Sequence, residues 1–80
     1  MENYHLYCWD FSVIDGNTAY FYFKKDWDDK LLMVEYWVDE EKVSPIGQFY
    51  TEDGMDLEEG VTLTQEEQDY FLNICKKTIV

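Results

Sequence analysis

Aromatic side chains dominate the stretch 18–23, which reads Thr-Ala-Tyr-Phe-Tyr-Phe. Four aromatic residues in six positions, after a β-branched threonine, favour a β-strand over a helix. Comparable stretches lie on either side, at 4–14 and 31–38. Because a strand with so many rings needs neighbours that cover them, we predict that 18–23 is the middle strand of an antiparallel sheet.

Alternation along these stretches predicts which side chains point to the core. In the second strand, Phe21 and Phe23 share one face, and Tyr20 and Tyr22 share the other, where their polar tips allow contact with water. In the first strand the odd-numbered face is the more apolar, and we expect it to face the core. Its members are Tyr7, Trp9, Phe11 and Val13. Between the two strands, Asp15-Gly16-Asn17 predicts a tight hairpin turn.

The clearest local signal is a capping box in the sequence Thr64-Gln65-Glu66-Glu67. In this motif the Thr64 hydroxyl accepts from the amide of Glu67, and the Glu67 carboxylate accepts from the amide of Thr64. The later apolar side chains fall on one side of a helical wheel; they are Phe71, Leu72, Ile74, Cys75, Thr78 and Ile79. We therefore predict an amphipathic helix at about 65–77 that packs on one face of the sheet.

Between the third strand and the helix the pattern is weaker. Ile46–Thr51 predicts a fourth strand, and Pro45 suits its start because proline cannot donate a ladder hydrogen bond. The acidic, glycine-punctuated stretch 52–60 predicts a loop. We therefore expect one domain spanning residues 1–80 with an α+β fold: a three- to four-stranded antiparallel sheet with one C-terminal amphipathic helix packed on one face.

The charge of the chain restricts its partners. Eighteen Asp and Glu face six Lys, there is no Arg, and the net charge is −12. This exceeds the roughly 2–8 charges typical of a soluble small domain and opposes folding through self-repulsion. It disfavours direct binding to nucleic acid or to an anionic membrane. The excess is explained either by the solubility of an aromatic-rich protein or by a strongly basic partner.

The sequence also predicts a location. No apolar run reaches the roughly 18 residues of a membrane span, and the first residues lack the pattern of a signal peptide. Cys8 and Cys75 do not make the framework of a disulfide-rich secreted domain. We expect a reducing cytoplasm, in which both thiols are small buried hydrophobes. A bridge between the first strand and the last helix stays open.

Candidate residues for chemistry are few. His5 is the single histidine, and His5 and Cys8 point to opposite faces of a strand, so they form no nucleophile–base pair. One His and two distant Cys do not match zinc-ligand spacing. The stretch Asp53-x-x-Asp56-x-Glu58-Glu59 offers oxygen ligands for Ca²⁺ but lacks the spacing of an EF-hand loop. We predict that the chain is not an enzyme and requires no cofactor and no metal.

The acidic residues cluster in predicted turns and loops, where carboxylates can project. With aromatic residues beside them as anchors, they indicate a surface that imitates the phosphates of nucleic acid. The predicted partner-binding residues are Asp26, Trp27, Asp28, Asp29, Trp37, Asp39, Glu40, Glu41, Glu52, Asp53, Asp56, Glu58 and Glu59. Our first hypothesis is an inhibitor in the host cytoplasm that occupies the basic groove of a nuclease, a CRISPR-type effector or another DNA-handling protein. In size, acidity and lack of a catalytic constellation the chain resembles the small inhibitors that phages encode against host defences, anti-CRISPR proteins among them; the likeness is one of composition.

Two other hypotheses fit the same sequence. A bacterial immunity protein or antitoxin that neutralises a basic nuclease toxin uses the same electrostatics, often without copying the shape of DNA. A homodimer through the Tyr20/Tyr22 face is the other, because one helix covers only one face of a sheet. Some acidic residues also have structural explanations: Glu66, Glu67 and Asp69 suit the first turns of a helix, and 39–41 suits a soluble turn.

Overall fold

The computed structural model of the chain describes residues 3–12, 14 and 16–79. Within them the chain forms six strands and one helix. In chain order these are β1 (Tyr4–Phe11), β2 (Thr18–Lys25), β3 (Lys30–Trp37), β4 (Lys42–Val43), β5 (Ile46–Thr51), β6 (Asp56–Thr62) and α1 (Gln65–Thr78). The α+β class predicted from the sequence is confirmed, but the sheet has six strands instead of three or four.

All strand pairs are antiparallel, and the order across the sheet is β1-β2-β3-β5-β6, with the short β4 also paired to β3. β2 is an interior strand, as predicted, but the centre of the sheet is β3. It pairs with β2 along one edge and with β4 and β5 along the other. The side chains of β3 therefore have neighbours on both sides, and Leu32, Val34 and Tyr36 are buried.

A β-bulge at Tyr7 reverses the faces of β1 halfway along the strand. Leu6 opposes Phe23 and Cys8 opposes Tyr22, so Tyr7 has no partner in β2. Before the bulge the even-numbered residues face the core, and after it the odd-numbered residues do. The prediction that Tyr7 faces the core is therefore wrong, and its side chain is 49% exposed.

The aromatic residues beyond the bulge lie on the core side but are only partly covered. Trp9 stacks on Phe21 with ring centroids 5.4 Å apart. Even so, Trp9 is 37% exposed and Phe11 is 43% exposed. They share the predicted face without being buried in the core. Val13, predicted in the core, and Asp15, predicted in the hairpin turn, lie outside the described residues.

β6 occupies most of the stretch that the sequence predicted to be an acidic loop. Its residues include Asp, Glu and Gly, which are depleted in strands. Its register is also irregular: Gln48 opposes Gly60 while Tyr50 opposes Asp56, so β6 carries two more residues than β5 between these pairs. This irregularity removes the period-two alternation by which a strand is recognised. β4 was not predicted, because a strand of only two residues is too short to show a pattern.

The helix α1 packs on one face of the sheet, as predicted, and buries Phe71 and Cys75. The predicted capping box is confirmed. Thr64 Oγ1 accepts from the amide of Glu67 at 3.1 Å, and Glu67 Oε1 accepts from the amide of Thr64 at 2.8 Å. Among the described residues, no helix combines the length and the apolar character needed to cross a membrane.

The opposite face of the sheet carries no helix or strand within the described part of the chain. Tyr20 opposes Glu35 and Tyr22 opposes Met33, so these side chains stand on this uncovered side. We call it the open face; its members include Cys8, Asp10, Tyr20, Tyr22, Lys24, Leu31, Met33, Glu35, Trp37, Lys42, Ile46, Gln48, Tyr50, Asp56, Gly60 and Thr62. Most of them are half-buried by their neighbours in the sheet.

The two cysteines lie on opposite faces of the sheet. Cys75 is buried on the side of α1 that packs on the sheet, and desolvation raises the pKa of its thiol to about 12. Cys8 stands on the open face and is exposed. The expectation that both thiols are buried is therefore correct for Cys75 and wrong for Cys8. Both thiols are free, and the sheet between them excludes the bridge that the sequence left open.

Candidate functional site

The acidic turns lie at two opposite ends of the sheet. The turns 26–29 and 52–55 are side by side at one end, because Lys30 opposes Thr51 where they join their strands. The turn 38–41 lies at the other end. We call these the 26–29 end and the 38–41 end. At about 3.3 Å per residue, the length of β3 separates them by about 23 Å.

Most carboxylates at the 26–29 end already have partners within the chain. The pairs are Asp26 Oδ1 with His5 Nδ1 at 3.2 Å, Glu52 with the ammonium of Lys24, and Asp53 with the hydroxyl of Thr51. Asp28 and Asp29 make no ion pair and no side-chain hydrogen bond with a described residue. Burial raises the pKa of the Tyr4 hydroxyl, and the nearby Asp28 carboxylate raises it further.

Along β6, two of the three predicted carboxylates are also engaged. Asp56 Oδ1 accepts from Gln48 Nε2 at 2.8 Å and from the amide of Glu58 at 2.7 Å. Glu59 pairs with Lys30 at 3.3 Å. The Glu58 carboxylate has no such partner among the described residues, and its backbone φ of +57° lies in the left-handed region. Glu58 is therefore both strained in its backbone and free at its carboxylate.

At the 38–41 end, free carboxylates line a depression beside Trp37. Glu41 pairs with Lys76 at 3.2 Å, whereas Asp39 and Glu40 pair with no described residue. The depression has a volume of about 460 Å³, and we call it the Trp37 depression. It is lined by Asn17, Thr18, Glu35, Trp37, Asp39 and Glu40. The Trp37 indole thus lies beside Asp39 and Glu40, which form no ion pair with a described residue, although Lys42 opposes Trp37 in the sheet.

A second depression, of about 440 Å³, adjoins it on the open face, and we call it the Tyr50 depression. It is lined by Met33, Glu35, Ser44, Ile46, Gln48, Tyr50 and Asp56. Glu35 lines both depressions, and its Oε1 accepts from Trp37 Nε1 at 3.5 Å. Within the described part of the chain, no lysine lines either one.

The two tryptophans predicted as anchors have different surroundings. Trp27 is 70% exposed in the 26–29 turn, so it does not fold back on the core. Trp37 is half-buried on the open face, with one edge held by its hydrogen bond to Glu35. Each tryptophan has close in the chain a carboxylate that forms no ion pair with a described residue, namely Asp28 beside Trp27 and Asp39 two residues after Trp37.

Sequence reasoning missed Glu35 and Tyr50 as site residues. Glu35 and Trp37 lie two positions apart in β3, and the structure places both on the same face. This spacing could have identified Glu35 as a neighbour of Trp37, since side chains two residues apart on a strand lie on the same face. Tyr50 could not be found in this way, because its surroundings depend on the pairing of β5 with β6, which the sequence did not predict.

The predicted partner-binding residues do not form one continuous patch. They divide between the two ends of the sheet and β6, and the open face with its two depressions lies between them. Among the described residues, no group of three or more His, Cys, Asp or Glu side chains is arranged to hold a metal ion, in the stretch 53–59 or elsewhere. No protein-family model matches the chain, and neither a curated protein nor a solved structure matches it.

Proposed function

We propose that this protein is a small acidic inhibitor, without enzymatic activity, that binds a basic nucleic-acid-handling protein. The target class is a nuclease or a CRISPR-type effector, and the inhibitor is a phage anti-defence protein acting in the host cytoplasm. One observation carries the proposal. Four carboxylates that form no ion pair with a described residue lie at the two ends of one sheet: Asp28, Asp29, Asp39 and Glu40.

Unpaired carboxylates are the ones that a basic partner can use fully. A carboxylate already bound to a lysine presents a nearly neutral pair to an approaching cation. The chain has eighteen acidic side chains and six lysines, and Lys24, Lys30 and Lys76 are already held by Glu52, Glu59 and Glu41. The remaining negative field therefore attracts a cationic surface over long range and speeds encounter.

The distance between the two ends suits a nucleic-acid groove. The separation of about 23 Å corresponds to about seven base-pair steps of a duplex, at 3.4 Å per step. In the target protein, lysine and arginine side chains that contact the phosphates of a duplex over this length can contact both ends of the sheet at once. The bound inhibitor and the nucleic acid then compete for the same cations.

The aromatic residues supply contacts that charge alone does not. Exposed charge pairs contribute little each, while buried aromatic anchors dominate many interfaces. Trp27 projects from the 26–29 end, and Trp37 stands between the free carboxylates of the other end. We therefore expect Trp27 to be buried in the complex, with a blue shift of its fluorescence.

Competition between DNA and the inhibitor on a candidate basic effector tests the proposal. The native chain is expected to displace labelled DNA, with an affinity that falls steeply as salt rises. The variant D28N/D29N/D39N/E40Q is expected to lose most of this competition. Each half of this variant, D28N/D29N or D39N/E40Q, has a matched control in E66Q/D69N, which removes the same two charges on the helix and is expected to compete nearly as well as the native chain.

Two outcomes count against the proposal. One is binding that does not respond to ionic strength or leaves DNA on the effector. The other is a four-site variant that competes as well as the native chain while its circular dichroism shows a folded protein. Capture of the target from a host lysate at low salt, identified by mass spectrometry, supplies the effector for these measurements.

A homodimer through the open face is a second candidate, favoured by one observation. No described helix or strand covers Tyr20 and Tyr22, whose rings are half-buried on that face. A dimer that covers them is expected to show twice the monomer mass in light scattering and to dissociate in the variant Y20K/Y22K. A monomer mass at all concentrations eliminates this candidate.

A further inference from the structure

We propose that the Tyr50 depression binds one arginine side chain of the basic partner. This inference rests on the function proposed above and names a contact point on the open face, away from the acidic turns. The depression combines an apolar floor and wall from Met33 and Ile46, the ring of Tyr50, and the carboxylates of Glu35 and Asp56.

The two carboxylates come from strands that are distant in sequence and meet around Tyr50. Asp56 in β6 directly opposes Tyr50 in β5, and Glu35 reaches the same depression from β3. Burial raises the pKa of the Tyr50 hydroxyl, and the carboxylates of Asp56 and Glu35 both raise it further. Both negative charges therefore act on the same hydroxyl. A cation that enters the depression gains attraction from both.

In each of these carboxylates, one oxygen accepts a hydrogen bond from a described residue and the other accepts none from a described side chain. Asp56 Oδ1 accepts from Gln48 Nε2 and from the amide of Glu58, and Glu35 Oε1 accepts from Trp37 Nε1. Asp56 Oδ2 and Glu35 Oε2 accept no hydrogen bond from a described side chain. Two short hydrogen bonds thus set the orientation of the Asp56 carboxylate before a partner arrives, which lowers the entropy lost on binding.

An arginine fits these groups better than a lysine does. A guanidinium is planar and has five N–H donors, so it can donate to two carboxylates while it stacks on a tyrosine ring. An ammonium group is a compact point charge that is more strongly hydrated. The volume of about 440 Å³ is at the lower end of the range of about 300–1,000 Å³ for ligand-binding pockets, and it admits a long side chain.

A second copy of this chain cannot supply the arginine. The chain contains no arginine, and two copies that each carry a net charge of −12 repel one another. No lysine of the described chain lines the depression. Charge complementarity therefore assigns the depression to a basic protein.

Titration of the full chain with hexa-arginine and with hexa-lysine peptides tests this inference. Calorimetry at low ionic strength gives the affinities, and amide chemical shifts show where each peptide binds. Hexa-arginine is expected to shift the amides of Tyr50, Ile46 and Glu35 most and to bind about tenfold tighter than hexa-lysine. The variant E35Q is expected to weaken hexa-arginine binding by about tenfold, because one charge-assisted hydrogen bond is lost.

Matched controls separate this site from general electrostatics. E66Q removes the same charge on the helix and is expected to weaken binding by less than about threefold, as expected of an exposed charge. I46K places an ammonium in the depression at a side chain that is 61% exposed, and it is expected to abolish the preference for arginine. N73K adds the same charge on the exposed side of α1 and is expected to keep that preference.

The outcomes distinguish this inference from the proposed function. If E35Q and E66Q weaken hexa-arginine binding equally, or if the two peptides bind with equal affinity, the Tyr50 depression is not an arginine-binding site. If DNA competition by the native chain persists in that case, the proposed function still stands. If the native chain displaces no DNA from a basic effector, the proposed function fails, and the peptide shifts alone then report a cation site without that role.

Discussion

The ring of Phe71 in α1 lies 4.5 Å from the ring of Phe23 in β2, and both side chains are fully buried. Phe71 also meets Tyr4 of β1 edge-on at 5.6 Å. Phe71 thus links the helix to two strands of the sheet, alongside the buried Cys75. The stability of the whole domain should therefore depend on it strongly.

Replacing Phe71 with alanine is expected to lower the free energy of unfolding by about 3–5 kcal/mol, because it removes buried area and leaves a cavity. A small domain has only about 5–15 kcal/mol in total, so F71L provides a milder change that stays measurable, at about 1–1.5 kcal/mol. Urea unfolding followed by tryptophan fluorescence measures both. L72A, at a half-buried neighbour, is the control. An F71A effect no larger than that of L72A contradicts the prediction.

The two cysteines are expected to differ sharply in reactivity. Cys8 is exposed on the open face, whereas Cys75 is buried and its thiol has a pKa of about 12. A thiol reagent at pH 8 should label one cysteine quickly and the second only after unfolding, since the thiolate is the reactive form. C8S should remove the fast reaction and leave the slow one. Fast labelling of C8S contradicts the burial of Cys75.

The raised pKa of Cys75 also predicts an alkaline limit to stability. The unfolded thiol has the ordinary pKa of 9.0, so above pH 9 the unfolded state loses its proton first. The stabilising contribution is therefore complete below pH 9 and is lost progressively as the pH rises towards 12. Burial also raises the pKa values of Tyr22, Tyr36 and Tyr50, which act in the same direction. The free energy of unfolding is expected to fall between pH 9 and pH 11, and a constant value over that window contradicts this.

Adjacent glutamates in β6 are expected to respond oppositely to glycine. Glu58 has a φ of +57°, which costs a residue with a Cβ about 1–2 kcal/mol, so E58G is expected to stabilise the protein by up to about 1 kcal/mol. Glu59 has no such strain and pairs with Lys30, so E59G is expected to destabilise it by about 0.5–1 kcal/mol. Urea unfolding measures both variants under the same conditions. Equal shifts in the two variants contradict this assignment.

The free carboxylates at the 38–41 end are expected to oppose folding while they serve binding. Removing like charge from a chain of net charge −12 lowers its self-repulsion, so D39N/E40Q is expected to raise the free energy of unfolding by about 0.5 kcal/mol while weakening partner binding. E41Q is the control, because it loses the ion pair with Lys76 as it loses charge. A destabilised D39N/E40Q variant indicates that these carboxylates have a structural role.

Regular elements were predictable from the sequence because local and tertiary preferences agree in them. The aromatic run of β2 and the capping box at Thr64 both indicate the elements that form. The bulge at Tyr7 was not predictable, because it arises from how β1 pairs with β2 and leaves no distinctive local composition. β6 was missed for a similar reason, since its residues disfavour a strand and form one by pairing with β5.

The candidate site was predictable in composition but not in arrangement. The sequence indicates which turns are acidic, yet only the register shows that 26–29 and 52–55 are neighbours and that 38–41 is distant from both. The sequence likewise does not show which carboxylates form ion pairs with lysines. The place of Glu35 between two depressions follows from the pairing of four strands, and no local pattern encodes it.

Irregular pairing at both margins of the sheet has a consequence for the protein in a crowded cell. An outermost strand with a straight, unbroken backbone can recruit another copy and seed fibrils. Here β1 is kinked at Tyr7, and β6 is both kinked and lined with negative charge. Growth of the sheet from molecule to molecule is thereby disfavoured. We therefore expect the irregular, acidic edges to oppose aggregation, although exposed aromatic rings on the surface favour association.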